Sequence, residues 1–422
     1  MTGYFDRFVA ESRSKGSLVV QPRMGFGKVS SMENGLREVA SLDIPVVGTL
    51  TIDSYTRVGD HVTPLDRLAA GEELNGYPIV SHPVATTRKM LDGLYGPAFP
   101  VQVRHGTARP IHVFQKLVEV GLDATEGGPV SYCLPYSRLP LADAVRAWSE
   151  SCRLLAGETE YGHIESFGGC LLGQLCPPSL LVAMTVLEGL FFRAHGLRHM
   201  SLSYAQGTHP AQDRGALRAL RALAEEYLGD VTWHVVLYTY MGLFPRTPSG
   251  ATALIQESAR LARDSGCERM IVKTVSEAWQ IPSVAENVSA LRLAAAAASG
   301  LAEPSTALEG EYFDETLSEA QEIVEAVLNL DSDIGTALIE AFRLGLLDIP
   351  YCLHPDNLAA VTCVIDDRGA LAWGSTGKVP LSSTVQHCGS DRLASDQLYD
   401  MLNHVAQRYD SNEYKWGLVQ PS

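Results

Sequence analysis

Residues 101–138, VQVRHGTARPIHVFQKLVEVGLDATEGGPVSYCLPYSR, decide the fold that the sequence predicts. Two short, largely apolar runs, 101–103 and 121–125, have the length and flanks of buried β-strands. Between them, residues 109–121 start near a proline, carry apolar side chains at helical spacing and end on a glycine, which predicts a helix. A strand, a helix and a second strand in this order form a parallel pair. Parallel α/β proteins carry their sites at the carboxyl ends of such strands.

Polar side chains follow both of these apolar runs. Arg104 follows the first run and Glu126 follows the second. Beyond Glu126 comes a glycine-rich loop with Ser131, Tyr132 and Tyr136, whose hydroxyl groups hydrogen-bond to anions and amines. The sequence therefore predicts that the chemistry of the protein lies in this region.

The alternation of strand and helix continues on both sides of this unit. Further helices are predicted at 36–42, 86–94, 178–195, 213–227, 249–263 and 284–298, with a long one beginning at Pro140. The strand candidates are 17–20, 44–52, 78–84, 101–103, 121–125, 162–168, 199–204, 233–240 and 269–274. This number of strands alternating with helices predicts an α/β fold, a single (β/α)8 TIM barrel with one spurious or peripheral candidate. The weakest candidates are 78–84 and 162–168.

The pattern changes after residue 300. Two helical segments, near 317–330 and 334–344, lead into an irregular region rich in proline, aspartate and glycine. We therefore expect a catalytic barrel at residues 1–302 and a C-terminal α+β extension at residues 303–422.

Composition and charge restrict the class of partner. The chain has 422 residues, 46% of them hydrophobic, and a formal net charge of -16 at pH 7. This charge argues against a nucleic-acid-binding surface, and an anionic ligand must be held by local arginines against the overall field. We expect a small-molecule ligand and no nucleic acid.

Three further observations predict a cytoplasmic protein without a membrane anchor. The first residues show no apolar run behind a basic segment, so no signal peptide is expected. The most apolar stretch, 179–193, contains Glu188 and is too short to span a bilayer, so it is interpreted as a buried amphipathic helix. The eight cysteines, from Cys133 to Cys388, form no C-x-x-C pair, which favours reduced thiols.

Three arginines follow strand candidates closely. They are Arg23, Arg57 and Arg104, and parallel strands would place all three at one end of a barrel. Each guanidinium can pair with a carboxylate through two hydrogen bonds, so the cluster suits a dianionic organic acid. Alternatively, the arginines form salt bridges at the barrel mouth with Asp53, Asp60 or Glu126.

Two other groups leave functional and structural interpretations open. Glu126 beside Tyr132 and Tyr136 can receive an ammonium group or act as a base, but it can also be a turn cap. Lys273 and Glu277 can bind the hydroxyls of a nucleoside, or they can simply pair with each other on the surface. Nucleotide-binding loops, zinc-ligand spacings and a nucleophile elbow are absent from the sequence, so no metal site is predicted.

Six motifs together resemble a known enzyme family. In chain order they are QPRMGF, TIDSYTR, VRHGT, TEGGPVSYCLPY, MGLFP and IVKTVSEAWQIP. They are similar to the catalytic, or epsilon, subunit of adenosylcobalamin-dependent glutamate mutase, also called methylaspartate mutase. The resemblance implies interconversion of L-glutamate and threo-3-methyl-L-aspartate through radicals. It also implies a cobalamin-binding small subunit and a heterotetramer that contains two copies of this chain.

The resemblance assigns roles to individual residues. It implies that Arg23, Arg57 and Arg104 bind the substrate carboxylates. It implies that Glu126 contacts the substrate amino group, as a catalytic residue, and that Tyr132 and Tyr136 bind substrate. The cofactor-binding residues that it implies are Lys273 and Glu277, at the adenosyl ribose, together with Gly25 and Met241.

Two departures from the family pattern leave alternatives open. Tyr238-Thr239-Tyr240 stands where the family usually has His-Gln-Trp, so a related amino or keto acid of specialised metabolism is an alternative substrate. The cobalamin motif D-x-H-x-x-G is absent from this chain, so the cofactor is expected to be held by a separate subunit. A third alternative is a dicarboxylate-binding barrel that works without the cofactor.

Overall fold

The computed structural model describes residues 3–171, 175–382 and 395–411. Eight of the strands within them are β1 (Val19–Pro22), β2 (Gly48–Thr51), β3 (Val101–Arg104), β4 (Ala124–Gly127), β5 (His163–Ser166), β6 (His199–Ala205), β7 (Thr232–Tyr238) and β8 (Arg269–Val272). These eight parallel strands form one sheet in the order β1-β8-β7-β6-β5-β4-β3-β2.

The sheet closes on itself between its first two strands. Val20 and Val46 form a parallel bridge. Val20 N donates to Pro45 O at 3.0 Å, and Val47 N donates to Val20 O at 3.2 Å. Because this closure joins the two edges of the sheet, the predicted (β/α)8 barrel is confirmed.

Of the two weakest strand candidates, one is a strand and one is not. Residues 162–168 contain β5, whereas residues 78–84 form no strand. Tyr77 makes a single bridge to Ile52, and the chain then turns, with Ser81 N and His82 N both donating to Pro78 O. Prolines at 78 and 83 lack the N–H donor that a strand needs, so the prediction of a strand there was wrong.

Helices cover the outside of the barrel. Those of the predicted barrel region are α1 (Tyr4–Ser14), α2 (Val29–Ala40), α3 (Ser54–Arg57), α4 (Thr63–Ala69), α5 (Val84–Leu91), α6 (Ile111–Val120), α7 (Leu141–Glu158), α8 (Pro178–Ala194), α9 (Pro210–Leu228), α10 (Pro248–Asp264) and α11 (Val284–Ala297). Their ends follow local sequence signals. Gly121 ends α6 with a φ of 88°, and a capping box between Ser283 and Glu286 begins α11.

The C-terminal extension contains α12 (Ala307–Leu328), α13 (Ile334–Leu344), a hairpin of β9 (Thr362–Ile365) and β10 (Leu371–Ser375), and α14 (Ser395–Asp410). It packs against the barrel helices α8 and α9. Gln212 of α9 bonds the backbone of Leu371 in both directions, at 2.7 and 2.9 Å. The largest apolar cluster includes Leu187 and Val324, one from each side of the predicted boundary. The division at residue 302 stays a prediction.

The extension explains why α8 is buried on all sides. The sequence predicted a buried amphipathic helix, and the burial is confirmed, but every residue from Pro178 to Phe192 is buried, so this stretch has no exposed polar face. One side of α8 faces β5 and β6, while α9 and α12 cover other parts of its surface. Ser179 donates to Glu319 of α12 at 2.6 Å. A helix buried on all sides shows no polar face, which is why Glu188 stands out in it.

Two expectations drawn from the sequence concern the state of the cysteines and the presence of membrane-spanning helices. Seven cysteines are free and buried, while Cys388 lies outside the described residues. Among the helices that the structure describes, none combines the length and the apolar character needed to cross a bilayer.

Candidate functional site

A cavity of about 120 Å³ opens at the carboxyl end of the barrel, and we call it the mouth cavity. It is smaller than the roughly 300–1,000 Å³ typical of pockets for drug-sized ligands, and so suits a small metabolite. Its lining consists of Arg23, Thr51, Arg57, Arg104, His105, Gly106, Glu126, Tyr132, Tyr136, Phe167 and Met241. All six residues predicted to contact substrate are therefore brought together, along with Met241.

Two of these residues lie within strands, whereas the sequence placed them just after the strand ends. Arg104 is the last residue of β3, and Glu126 lies inside β4, where it pairs in register with Glu165 of β5. Both side chains point into the barrel and are buried. Glu126 is therefore not a turn cap, because its carboxylate lies among the side chains at the top of the barrel.

Arg57 reaches the cavity by a different route. It ends the short helix α3, which begins with Asp53 as its N-cap. Asp53 accepts hydrogen bonds from Tyr55 N at 2.9 Å and Thr56 N at 3.0 Å. Asp53 is thus used to turn the chain so that Arg57 faces the mouth, and it is not the salt-bridge partner that the alternative reading allowed.

The three arginines have different partners. Arg104 Nε donates to Glu126 Oε2 at 2.7 Å, and Arg23 Nη1 lies 2.9 Å from Glu277 Oε1. Arg57 Nε donates to the carbonyl oxygen of His105 at 3.1 Å. In the part of the chain that the structure describes, Arg57 forms no ion pair. The salt-bridge interpretation therefore holds for Arg104 with Glu126 and does not describe the cluster as a whole.

Glu126 is the centre of a buried hydrogen-bond network. Its carboxylate accepts from Arg104, from the phenol of Tyr132, and from the phenol of Tyr238 at 2.9 Å. Burial, followed by the nearby charge of Glu126, raises the pKa of Tyr132 above its usual range. Tyr132 therefore remains a neutral donor to Glu126 at physiological pH.

The charges that line the cavity do not cancel. Burial, together with the nearby Arg57 and Arg104, lowers the pKa of His105 to about 3, so its imidazole is neutral at pH 7. Three guanidiniums against the carboxylate of Glu126 leave an excess of two positive charges in the lining, and the carboxylate of Glu277 beside Arg23 is balanced by the ammonium group of Lys273. A cavity with this excess can hold a dianion.

Lys273 and Glu277 stand beside the mouth cavity. Their side chains lie 3.3 Å apart, and Glu277 also contacts Arg23, so the pair is joined to the arginine cluster. Burial lowers the pKa of Lys273 to about 8. Burial alone would raise the pKa of Glu277, but Lys273 and Arg23 hold it below its usual value. The two residues do pair with each other as the alternative suggested, but Lys273 is buried and does not lie on the surface.

Gly25 has a structural reason for being glycine. A Cβ at this position would lie 2.3 Å from the carbonyl oxygen of Thr51, which is too close for any side chain. Thr51 itself lines the mouth cavity. Gly25 therefore lets the segment after β1 pass directly over the end of β2, which places Arg23 at the mouth.

Glu165, Arg269 and Gln102, which lie below Glu126, were not predicted as site residues from the sequence. Tyr238 lies within hydrogen-bonding distance of both Glu126 and Glu165, and its single phenolic proton is shared between the two carboxylates. Glu165 also forms a fully buried ion pair with Arg269. Gln102 Nε2 donates to Glu165 Oε2 at 3.3 Å. A signal was available, because polar side chains alternate with apolar ones inside strands that are otherwise buried. Their partners, however, come from strands far apart in the chain.

A second polar group lies at the amino end of the barrel, and we call it the floor cluster. It consists of Asp6 from α1 and of His163, His199 and His234 from β5, β6 and β7. Asp6 lies 2.9 Å from both His163 Nδ1 and His199 Nδ1. Phe5 stacks on His163 with a ring separation of 4.4 Å. Helix α1 thus closes the end of the barrel opposite the mouth.

Asp6, His163 and His234 are close enough together to hold a metal ion. However, Arg269 Nε donates to His234 Nε2 at 3.3 Å. Because an arginine N–H can only donate, His234 must accept at Nε2, and its neutral ring then carries its proton at Nδ1, which faces Asp6. The donor set thus fits a hydrogen-bonded cluster better than a metal centre.

Comparison with known proteins places these features in a family context. Residues 1–400 match the family described as methylaspartate mutase E chain. The chain is similar to the glutamate mutase epsilon subunit of Escherichia coli O157:H7, with 30% identity over 412 residues, 92% of this chain and 84% of the relative. It is also similar to the epsilon subunit of Halobacterium salinarum, with 32% identity over 402 residues, 92% of this chain and 83% of the relative.

Proposed function

Because this chain belongs to the methylaspartate mutase E chain family, we propose that it interconverts L-glutamate and threo-3-methyl-L-aspartate. Relatives named glutamate mutase support the class of activity, a mutase subunit. The observation that carries the specific proposal is the mouth cavity, in which an excess of two positive charges surrounds a space the size of a small acid.

The arginines retain donors for two substrate carboxylates. Arg104 contacts Glu126 through Nε, which leaves N–H groups of its guanidinium for a ligand. Arg23 uses Nη1 for Glu277, and its Nε is buried without a hydrogen-bond partner among the described residues. Arg57 likewise contacts protein through Nε. A dicarboxylate bound between these guanidiniums would be held at both ends.

Glu126 is suited to receive the amino group. An ionised carboxylate offers about four acceptor positions, and Arg104, Tyr132 and Tyr238 occupy three of those of Glu126. An ammonium group can take the remaining position. Tyr136, exposed at the rim with its ring 6.0 Å from that of Tyr132, lies where it can cover the bound acid.

The residues beside the cavity fit the adenosyl group of adenosylcobalamin. Glu277 offers acceptor oxygens and Lys273 offers donors for ribose hydroxyls, and Met241 adds an apolar contact in the lining. When bound, adenosylcobalamin supplies the radical that starts the rearrangement. The contribution of this chain is to hold the acid rigidly by both carboxylates and its amino group, and to exclude water.

The cofactor is proposed to be shared with a partner. This chain lacks the D-x-H-x-x-G cobalamin motif, and its relatives are named as epsilon subunits, a name that implies a complex. We therefore propose a cobalamin-binding small subunit at the mouth, in a heterotetramer with two copies of this chain. Residues 1–302 would carry the catalytic role. The buried free cysteines support a reducing, cytoplasmic setting.

Tyr238 favours a second candidate, the same mechanism on a related amino or keto acid. Its phenol occupies a fully buried position 2.9 Å from Glu126 Oε2 and thereby limits how the amino-group end of the cavity is used. Tyr238→His should then shift the preference among glutamate and related acids. An unchanged preference would count against this candidate. The third possibility, a barrel without the cofactor, is less favoured because Lys273 and Glu277 are both present.

Anaerobic electron paramagnetic resonance tests the proposal most directly. The chain would be mixed with a candidate cobalamin subunit, adenosylcobalamin and L-glutamate. We expect a glutamate-dependent signal of cob(II)alamin coupled to an organic radical. A signal that appears only with another acid would indicate a different substrate and support the same radical mechanism. If no acid gives a signal in a complex that is shown to assemble, the result would favour the alternative of a dicarboxylate-binding barrel that works without the cofactor.

A further inference from the structure

Glu188 is a buried carboxylate that the proposed function does not use. It lies in α8, the most apolar of the helices that the structure describes, and its side chain is fully shielded from solvent. Neither helix formation nor the apolar core calls for a carboxylate there. Because burying a charge is costly unless it is well hydrogen-bonded, its partners indicate its role.

Four donors converge on the two oxygens of Glu188. Oε1 accepts from the backbone N–H groups of Val130, at 3.3 Å, and Ser131, at 2.9 Å. Oε2 accepts from the hydroxyl of Ser131, at 3.0 Å, and from the hydroxyl of Ser166, at 2.9 Å. Gly128 lies so close that any Cβ would collide with the carboxylate. The side chain thus ties the loop after β4 to the end of β5.

Both tethered segments lead directly into the wall of the mouth cavity. Ser131 precedes Tyr132, and Ser166 precedes Phe167. Tyr132 and Phe167 both line the cavity, with their rings 5.0 Å apart. A shift of either segment would therefore move a cavity wall, and through Tyr132 it would also disturb Glu126.

We propose that Glu188 is a positioning residue for this wall, and that its proton sets how firmly Tyr132 and Phe167 are held and hence how tightly the acid substrate binds. The inference rests on the proposed function for the identity of that acid. The role of Glu188 in holding the two segments stands on their contacts alone.

The donor arrangement distinguishes the two protonation states. The ionised carboxylate accepts all four hydrogen bonds, which are strengthened by its charge. A proton on Oε1 would face two backbone N–H groups that cannot accept it. A proton on Oε2 can be donated to a serine oxygen, at the cost of reversing one hydroxyl. The neutral form therefore still holds the segments, but less firmly.

Glu188 should gain or lose its proton within the physiological pH range. Burial raises the pKa of Glu188 to about 7, and the bonds from Ser131, Ser166 and Val130 oppose a larger rise. The titratable side chain that faces Glu188 from α7 is Cys152. Burial raises the pKa of Cys152 above its usual range, so this side chain remains a neutral thiol. The serines of the two tethered segments carry no charge. The cavity wall should accordingly be firmest above pH 7.

Glu188→Gln imitates the protonated state, because an amide nitrogen can donate to the serines while Oε1 still accepts from the backbone. A matched control is Glu319→Gln. Glu319 is also a buried carboxylate, which accepts from Ser179 at 2.6 Å and from Trp373 Nε1 at 3.0 Å, but it joins α8 to the C-terminal hairpin. Both variants, made in the full chain, would be compared with the unaltered protein at pH 6 and pH 8.

Two measurements report on the proposal independently. Hydrogen exchange of residues 128–136, corrected for the intrinsic rate at each pH, follows the wall without any ligand. Calorimetric titration with L-glutamate follows binding. We expect the unaltered protein and Glu319→Gln to bind about fivefold more tightly at pH 8 than at pH 6, with greater protection of the loop. Glu188→Gln should show neither difference.

The outcomes separate the two proposals. If Glu188→Gln keeps both pH differences, the inference is overturned. If it loses the exchange difference while glutamate binding keeps its pH dependence, the role in substrate binding is overturned. If the unaltered protein binds no glutamate but shows the exchange difference, the proposed substrate is wrong and the tethering role is supported. Should Glu188→Gln fail to fold, Ser166→Ala must raise the pH of the transition, because it removes a donor to the ionised form.

Discussion

The mouth and the floor of the barrel both bury charged side chains, but their partners differ. At the floor, Asp6 sits between His163 and His199, and helix α1 covers the cluster. At the mouth, three guanidiniums surround one carboxylate and a cavity. Removing one partner of a matched buried pair destabilises a fold, whereas an excess of one sign around a cavity prepares it for a ligand. The same barrel thus uses buried charge for stability at one end and for binding at the other.

Arg104→Lys should impair substrate use at the mouth cavity and leave the stability of the fold, including the floor cluster, unchanged. Lysine keeps the charge, but it loses the Nε donor to Glu126 and the planar fork that binds a carboxylate. We expect kcat/KM of the assembled enzyme to fall by roughly 100- to 1,000-fold, with little change in the midpoint of urea unfolding.

Arg146→Lys is the control for this change, because Arg146 is 74% exposed on α7 and pairs with Asp143. It should leave both measurements unchanged. If Arg104→Lys instead lowered the stability of the fold as strongly as the activity, Arg104 would be a structural salt bridge.

Asp6→Asn should do the reverse and weaken the fold. Removing the charge between His163 and His199 should cost about 3 kcal/mol of unfolding free energy. Glutamate binding at the opposite end should change less than twofold. Urea unfolding and calorimetric titration would measure the two effects, with the exposed Asp314→Asn as control. A large loss of glutamate affinity would show that the two ends are coupled.

The same variant tests the pH dependence of the floor. Burial alone would raise the pKa of Asp6, but its neighbours, above all His163, hold it well below the ordinary value of 3.8. The folded state therefore binds this proton less readily than the unfolded state. The stabilisation is present above about pH 4 and is lost as pH falls further. Asp6→Asn should flatten the acid limb of the stability curve, and an unchanged limb would argue against the pairing.

Glu277→Gln should lower the pH at which kcat/KM falls on the alkaline side of the pH profile. The pKa of Lys273 is about 8, and Glu277 is the neighbour that holds it up against burial. Without that carboxylate, Lys273 should lose its proton at lower pH, so the alkaline fall of kcat/KM should move down by about one pH unit. A pH profile of the assembled enzyme would measure this. If the profile kept its position, Lys273 would not be the titrating group.

Tyr238→Phe should have the smallest effect, because it removes one of the bonds to Glu126 and leaves the arginines in place. We expect glutamate to bind about five- to tenfold more weakly. Tyr312→Phe is a fitting control, since its buried hydroxyl has no partner among the described residues. Equal binding by Tyr238→Phe and the unaltered protein would show that Tyr238 does not help to orient Glu126.

Much of the mouth could be predicted because of how parallel strands are arranged. Arg23, Arg104 and Glu126 each lie at or just beyond a strand end, and in a parallel barrel such ends meet. The role of Asp53 could not be read in this way. As a carboxylate near an arginine it suggested a salt bridge, whereas the fold uses it as the cap of α3.

The errors have different physical causes. Residues 78–84 are apolar enough for a strand, but their two prolines lack the N–H donors of a strand, and the chain turns there. Helix α8 was expected to have a polar face, because nothing in its own sequence shows that the extension covers it. Burial depends on what packs against a segment, and local pattern records only the segment itself.

The barrel and the charged residues at the ends of its strands could be predicted from the chain alone, because strand and helix periodicity, and the residues at strand ends, are local properties. Packing in three dimensions sets which of the buried charges are matched and which are left for a ligand. It placed Glu188 against loop residues 57 and 58 positions earlier in the chain, and Tyr238 against Glu126, 112 positions away. Hydrogen bonds and charge pairs of this kind depend on distances in space, which only the folded chain sets.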